Sequence, residues 1–143
     1  MKLVVDANIL FAALIKEGST ADLLISDKLQ LFAPEFLFEE FRKYEDLILE
    51  KTQRSKEEFN HFLEILQEEI TIIPQDSITP FLDQAGKISP DPKDTVYLAL
   101  ALAIKSNIWS NDKNLKERQN KVKIYTTDEI IEMVRVLKIN KRK

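Results

Sequence analysis

Three aspartates stand where a chain of alternating strands and helices concentrates its chemistry. Asp6 follows the apolar run Leu3-Val4-Val5, Asp112 follows Ile108-Trp109-Ser110, and Asp94 lies in the first turn of a helix opened by Asp91-Pro92. In open α/β sheets function gathers outside the carboxyl ends of the strands. Neighbouring central strands would therefore bring all three acids to one edge of the sheet. Each also has an ordinary structural use. Asp6 and Asp112 are placed to cap the helices that follow them, and Asp91 to cap its own helix with Asp94 facing the positive end of the dipole. Taken singly, capping is the simpler reading. Taken together, three converging carboxylates repel, and a divalent cation is the natural remedy, with hard oxygen ligands suited to Mg²⁺ or Mn²⁺.

The composition removes most other chemistries. The 143 residues contain no cysteine, which excludes disulfides, thiolate metal sites and cysteine nucleophiles. The single histidine, His61, excludes any mechanism that needs two imidazoles from one chain. Gly18 and Gly86 are the only glycines, and neither belongs to a phosphate-binding glycine loop. The net charge of −3 is unevenly spread: residues 1–104 carry 10 Lys and Arg against 19 Asp and Glu, whereas residues 105–143 carry 11 against 5. A basic final quarter suits a polyanion, although an ordinary solvated surface ending in a basic tail at 138–143 reads equally well. The longest strongly apolar run, 95–104, is half of what a bilayer span needs, roughly 20 residues. No leader pattern follows Lys2, so a cytoplasmic protein is expected.

The elements that must position the acids follow from periodicity. Short apolar, β-branched runs predict strands at 3–5, 29–33, 70–73, 108–110 and 122–125. Helical spacing predicts helices over 9–16 and 20–28, then two long amphipathic ones, 35–51 and from Ser55 onward, forming a hairpin to residue 69. Ser55 with Glu58, and Thr126 with Glu129, have the spacing of capping boxes. Thr79-Pro80 and Asp91-Pro92 open further helices, the second reaching residue 105 and apolar nearly all round, hence buried. The alternation predicts an α/β fold of three layers, α/β/α, with a central parallel sheet of four to five strands in a single domain over 1–143.

These residues also carry a family resemblance. Val4-Val5-Asp6-Ala7-Asn8-Ile9-Leu10 resembles the opening of PIN-domain nucleases. Asp91-Pro92-Lys93-Asp94 with Leu98-Ala99-Leu100-Ala101 resembles the family's second acidic block, and Ser110-Asn111-Asp112-Lys113-Asn114-Leu115 its third. The segment Pro34-Glu35-Phe36-Leu37-Phe38-Glu39-Glu40-Phe41 resembles the one that holds the family's glutamate, and Glu40, next to Phe41 on the apolar stripe, is chosen over Glu39. The resemblance implies metal-dependent cleavage of RNA, with Asp6, Glu40, Asp94 and Asp112 as both metal ligands and catalytic groups. It makes Asn8 and Ser110 supporting residues that orient the first and last carboxylate, beside Asp91. It also implies that an antitoxin protein is a candidate partner. Ala7 and Asn114 depart from the family, which more often has a hydroxyl at the first position and a further acid at the second. A metal-bound water serves as nucleophile without a histidine base, in keeping with a chain that has one histidine.

Three further expectations complete the reading. Lys113, Lys116, Arg118, Lys121 and Lys123 flank or follow Asp112 and are expected to bind the RNA backbone. Six aromatics at 36–62 exceed what one helical stripe needs and suggest a homodimer. The main alternative is a PIN-like module that binds RNA or protein with little activity. A haloacid-dehalogenase-type phosphatase is disfavoured because Asn8 stands where that family needs an acid. A receiver domain is disfavoured because Tyr125-Thr126-Thr127 supplies no lysine after the fifth strand.

Overall fold

The computed structural model describes residues 1–16 and 18–141, with side chains described up to residue 137. The basic tail expected over 138–143 therefore lies outside the described side chains, although the backbone to Lys141 continues the last helix. In chain order the elements are β1 (Lys2–Val5), α1 (Ala7–Ile15), α2 (Ser19–Leu24), β2 (Gln30–Pro34), α3 (Glu35–Lys43), α4 (Glu45–Thr52) and α5 (Lys56–Glu69). They continue with β3 (Ile70–Ile73), α6 (Gln75–Ile78), α7 (Leu82–Ile88), α8 (Thr95–Ile104), β4 (Asn107–Trp109), α9 (Lys113–Glu117), β5 (Ile124–Tyr125) and α10 (Thr127–Lys141).

All strand pairings are parallel, in the order β3-β2-β1-β4-β5. β1 is central in the sheet and covered by helices on both faces, so Leu3, Val4 and Val5 are all fully buried. Side-chain alternation then sorts the core into two layers. Leu3, Val5, Leu31, Ile70 and Trp109 face α1 to α5 and α10. Val4, Ile108 and Ile124 face α6 to α9, where Leu98 to Ala101 of α8 are buried. The expected three-layer α/β/α architecture is thus the observed one.

The strand order fixes where function can sit. The chain moves outward from β1 to β2 and β3, then crosses back to place β4 on the other side of β1. The switch point, where ligands bind in such sheets, is the crevice at the carboxyl ends of β1 and β4.

Several boundaries differ from expectation. The helix expected over 35–51 is two helices, because the backbone at Tyr44 (φ −105°, ψ 23°) leaves the helical region and breaks the run. Pro80 falls in a 3-10 turn, Thr79–Phe81, and the helix begins before it at Gln75. Pro92 likewise lies in a 3-10 turn, Pro92–Asp94, ahead of α8. Both capping boxes form: Ser55 and Glu58 exchange hydrogen bonds, as do Thr126 and Glu129. Lys105 ends α8 in the left-handed region (φ 54°), with Ser106 N–H donating to the Ala101 carbonyl. Among the described residues no helix is long and apolar enough to cross a membrane.

Candidate active site

Asp6 is delivered by β1. Its N–H donates to the Trp109 carbonyl (3.0 Å), continuing the β1–β4 pairing one residue past the strand. Its side chain is buried and held by three donors. Oδ1 accepts from the Ala7 N–H (2.8 Å), while Oδ2 accepts from Ser110 Oγ (2.7 Å) and from Asn8 Nδ2 (3.3 Å). Burial raises the Asp6 pKa; the Ser110 and Ala7 hydrogen bonds oppose that, and the Asp112 charge adds to it.

Ser110 connects the two halves of the site. Fully buried at the end of β4, it also accepts from the Asp112 N–H (3.1 Å) and from Asn8 Nδ2 (3.2 Å). Its hydroxyl therefore orients the Asp6 carboxylate, the first and not the last of the series as expected, and touches Asp112 only through the backbone. Asp112 Oδ1 accepts from the Asn114 and Leu115 N–H groups (2.9 and 3.3 Å), capping α9. The loop that carries it is tied to α10, where Asn111 and Thr127 exchange hydrogen bonds and Trp109 Nε1 donates to Thr127 Oγ1 (3.0 Å).

Asp94 behaves differently from the other two. It is 3% exposed, makes no side-chain capping bond, and its Oδ2 is buried without any hydrogen-bond partner. Asp91, exposed, does the capping by accepting from the Lys93 N–H (3.0 Å). Burial, then the charges of Asp112, Asp6 and Asp91, push the Asp94 pKa up to about 6. An orphaned carboxylate oxygen facing two further carboxylates is a costly arrangement for a helix start alone.

A cavity of about 390 Å³ opens at the switch point, and Asp6, Glu40, Asp94 and Asp112 all line it. α3 closes it from one layer and the start of α8 from the other. Glu40 faces the cavity, whereas Glu39 is exposed on the outer side of α3. The cavity also holds residues that sequence reasoning missed. Lys93 lines its mouth and its charge favours ionised Asp6 and Asp94. Tyr97, one turn into α8, is buried, and its phenol pKa is raised by burial and by the Asp6 and Glu40 charges. Phe11, Phe36, Phe41 and Tyr44 add aromatic rings to its lining, Phe36 and Phe41 from the same helix as Glu40. The spacing of Tyr97 from Asp94, three residues on from the start of α8, was the available signal.

The donor set suits a hard divalent cation: oxygen ligands only, one with an unpartnered oxygen. Asp6 and Asp112 keep lone pairs beyond those their protein donors use. Four like charges around one cavity repel, and in their present positions no three carboxylate or imidazole groups among the described residues are close enough together to hold a metal ion. Ligation of one ion by three of them would require them to draw together.

The basic residues expected to bind RNA divide in two. Lys113, Arg118, Lys121 and Lys123 are exposed. Lys116 is engaged, donating to Glu129 and to the Ile124 carbonyl, and it holds the Glu129 pKa down to about 2. Of the six aromatics behind the dimer expectation, Phe38, Phe41 and Phe59 are buried and Phe62 is half-buried. Phe41 packs between Phe11 and Phe59. The exposed pair, Phe36 and Tyr44, borders the cavity.

Comparison with curated proteins by sequence finds no match. Among solved structures the chain is similar to one from the crystal structure of VapBC2 from Rickettsia felis bound to a DNA fragment from their promoter. The TM-score is 0.61 at 17% identity, over 88% of this chain and 98% of that one. At that identity the likeness speaks for the fold. The sequence itself matches the PIN domain over residues 4–134, nearly the whole of the chain and all of the elements that carry the four acids, and the protein belongs to the PIN-domain family.

Proposed function

We propose that this protein is a divalent-metal-dependent endoribonuclease of the cytoplasm that hydrolyses RNA phosphodiester bonds. The observation that carries the reading is the orphaned Asp94 oxygen in a cavity shared with Asp6, Glu40 and Asp112. Neither helix capping nor packing accounts for it. Asp6, Glu40, Asp94 and Asp112 would hold Mg²⁺ or Mn²⁺. When bound, the ion supplies a water of lowered pKa and neutralises charge on the phosphate. The chain's own contribution is positional. Ser110 and Asn8 fix the Asp6 carboxylate, the α9 cap fixes Asp112, and Lys93 offers a cation to an incoming phosphate at the cavity mouth.

RNA is the proposed substrate, with Lys113, Arg118, Lys121 and Lys123 as backbone contacts. By likeness to the Rickettsia felis VapBC2 chain, the proposal extends to a toxin acting with an antitoxin partner. Self-association as a homodimer is also proposed, resting now on apolar residues exposed away from the cavity, such as Met1, Val136 and Leu137. A second reading, a weakly active PIN-like binding module, draws on Asn114 in place of an acid and on the carboxylates' separation. Incubation of labelled single-stranded RNA with pure protein and Mn²⁺, then with chelator, tests the choice. Cleavage that chelator abolishes supports the nuclease; binding without cleavage at any Mn²⁺ concentration supports the module.

A further inference from the structure

Phe36, Glu40 and Tyr44 are spaced i, i+4, i+8, so the three side chains stack along one face of α3, an acid between two aromatics. Tyr44 ends the helix, yet its N–H still donates to the Glu40 carbonyl (3.0 Å), which keeps it one turn beyond Glu40. All three line the cavity. The other aromatics of α3, Phe38 and Phe41, are buried at 9% and 2% exposure, while Phe36 and Tyr44 stand 38% and 45% exposed. What sets these two rings apart from other exposed apolar side chains is their place on the cavity on either side of Glu40, where they meet whatever the cavity binds.

We infer that Phe36 and Tyr44 are stacking platforms for the two unpaired bases that flank the scissile phosphodiester. The inference rests on the nuclease reading for its reacting phosphate but not for its aromatic geometry. A phosphate held at the carboxylate centre beside Glu40 has a nucleoside on either side. Four residues, about 6 Å of helix rise, separate Glu40 from each of the two aromatic positions, so one base falls toward Phe36 and the other toward Tyr44. Bases in a duplex are paired and stacked on one another and cannot reach such rings, whereas splayed single-stranded bases can. Lys43 Nζ, 5.3 Å from the Tyr44 ring centroid, adds positive charge next to that platform. A second pocket, largely apolar, begins at Phe11 and Tyr44 and carries Lys51 on its lining, one further cation on that side. Phe11 packs on Phe41 with centroids 4.9 Å apart, giving the wall behind Glu40 a fixed backing.

The test uses single-stranded RNA carrying 2-aminopurine at successive positions, and the matching duplex, with wild type and with Phe36→Leu and Tyr44→Leu. Binding is read by 2-aminopurine fluorescence with Ca²⁺ in place of Mn²⁺, so that the carboxylates are neutralised, and cleavage is read separately with Mn²⁺. Wild type is expected to quench the probe in single strands and not in duplex. Each leucine variant should lose quenching at one position and bind roughly 5- to 150-fold more weakly. Phe36→Tyr and Tyr44→Phe, which keep a ring, should retain both properties, and every variant should keep the wild-type melting shift with Mn²⁺. Leucine variants that bind and quench as wild type does overturn the inference, even if wild type cleaves; the rings would then be left to a protein partner. Wild type that never quenches the probe overturns it too. If quenching follows the rings but Mn²⁺ elicits no cleavage, the base subsite stands and the nuclease reading falls.

Discussion

Replacing Asp94 by Asn separates a metal site from a helix start. In wild type the carboxyl pKa rises from 3.8 to about 6. That rise corresponds to at most about 3 kcal/mol of strain in the ionised form, and water in the open cavity screens it to about 1–2 kcal/mol. The amide removes the charge but also the favourable contact with the positive end of α8, about 0.3–1 kcal/mol. No capping hydrogen bond is lost, because Asp94 makes none. The metal-free variant should therefore gain roughly 1 kcal/mol, or about 2–4 °C in melting temperature. The pH dependence has a definite sign. A carboxyl whose folded pKa is raised stabilises the fold most below its unfolded value, near 3.8, and that contribution is lost as pH rises through about 6. The gap between variant and wild type should be full above pH 6 and close as pH falls toward 4. Adding Mn²⁺ at a hundredfold excess over Kd should stabilise wild type by about 2.7 kcal/mol, roughly 5–10 °C. The variant should lose most of that shift and essentially all cleavage. Melts in chelator and in Mn²⁺ at two pH values decide the matter. An Asp94→Asn protein that melts lower than wild type without metal, beside a wild type indifferent to Mn²⁺, would refute the reasoning.

Other substitutions probe the supports. Ser110→Ala leaves a buried Asp6 oxygen short of its 2.7 Å donor and should cost about 1.5–3 kcal/mol in denaturant melts above pH 6; an unchanged midpoint would mean that Asn8 alone suffices. Lys105→Gly relieves a left-handed residue at the end of α8 and should raise stability by about 0.5–1 kcal/mol, read by thermal melt with cleavage unaffected. Neutralising Lys113, Lys121 and Lys123 together should weaken RNA binding and reduce the slope of log K against log salt by roughly 2 or more; an identical slope retires these contacts. Light scattering should give about twice 16.6 kDa if the chain self-associates, and a monomer at high concentration would end that proposal.

Much of the fold was legible because the sheet is parallel and buried. Leu3-Val4-Val5 and Ile108-Trp109 are short, wholly apolar and free of charge, and only a central strand accepts such runs on both faces. The break at Tyr44 was not legible. Residues 35–51 keep helical spacing straight through it, with no Gly or Pro, so the turn is imposed by tertiary packing and not by propensity. The burial of most of the hairpin's aromatics was not legible either. Six aromatics on one helical hairpin looked like surplus, but α3, α4 and α5 are separate pieces that fold Phe41 and Phe59 inward against Phe11. Only the two rings beside Glu40 remain open.

The site was legible in its residues and not in their roles, for a physical reason. A carboxylate has two oxygens and about four acceptor positions, so capping and ligation do not compete for it. Asp112 gives Oδ1 to the start of α9 and lines the cavity as well; Asp6 gives Oδ1 to Ala7 and Oδ2 to Ser110. Weighing cap against ligand residue by residue poses an alternative that the chemistry does not respect. The cap fixes a rotamer, and a fixed rotamer is what a ligand needs in order not to lose side-chain entropy when an ion arrives. Asp94 breaks the pattern by capping nothing, and its buried oxygen is left with carboxylates for neighbours. Three acids, each explicable alone as a helix start, become a candidate metal centre because one of them does no structural work that would explain its position.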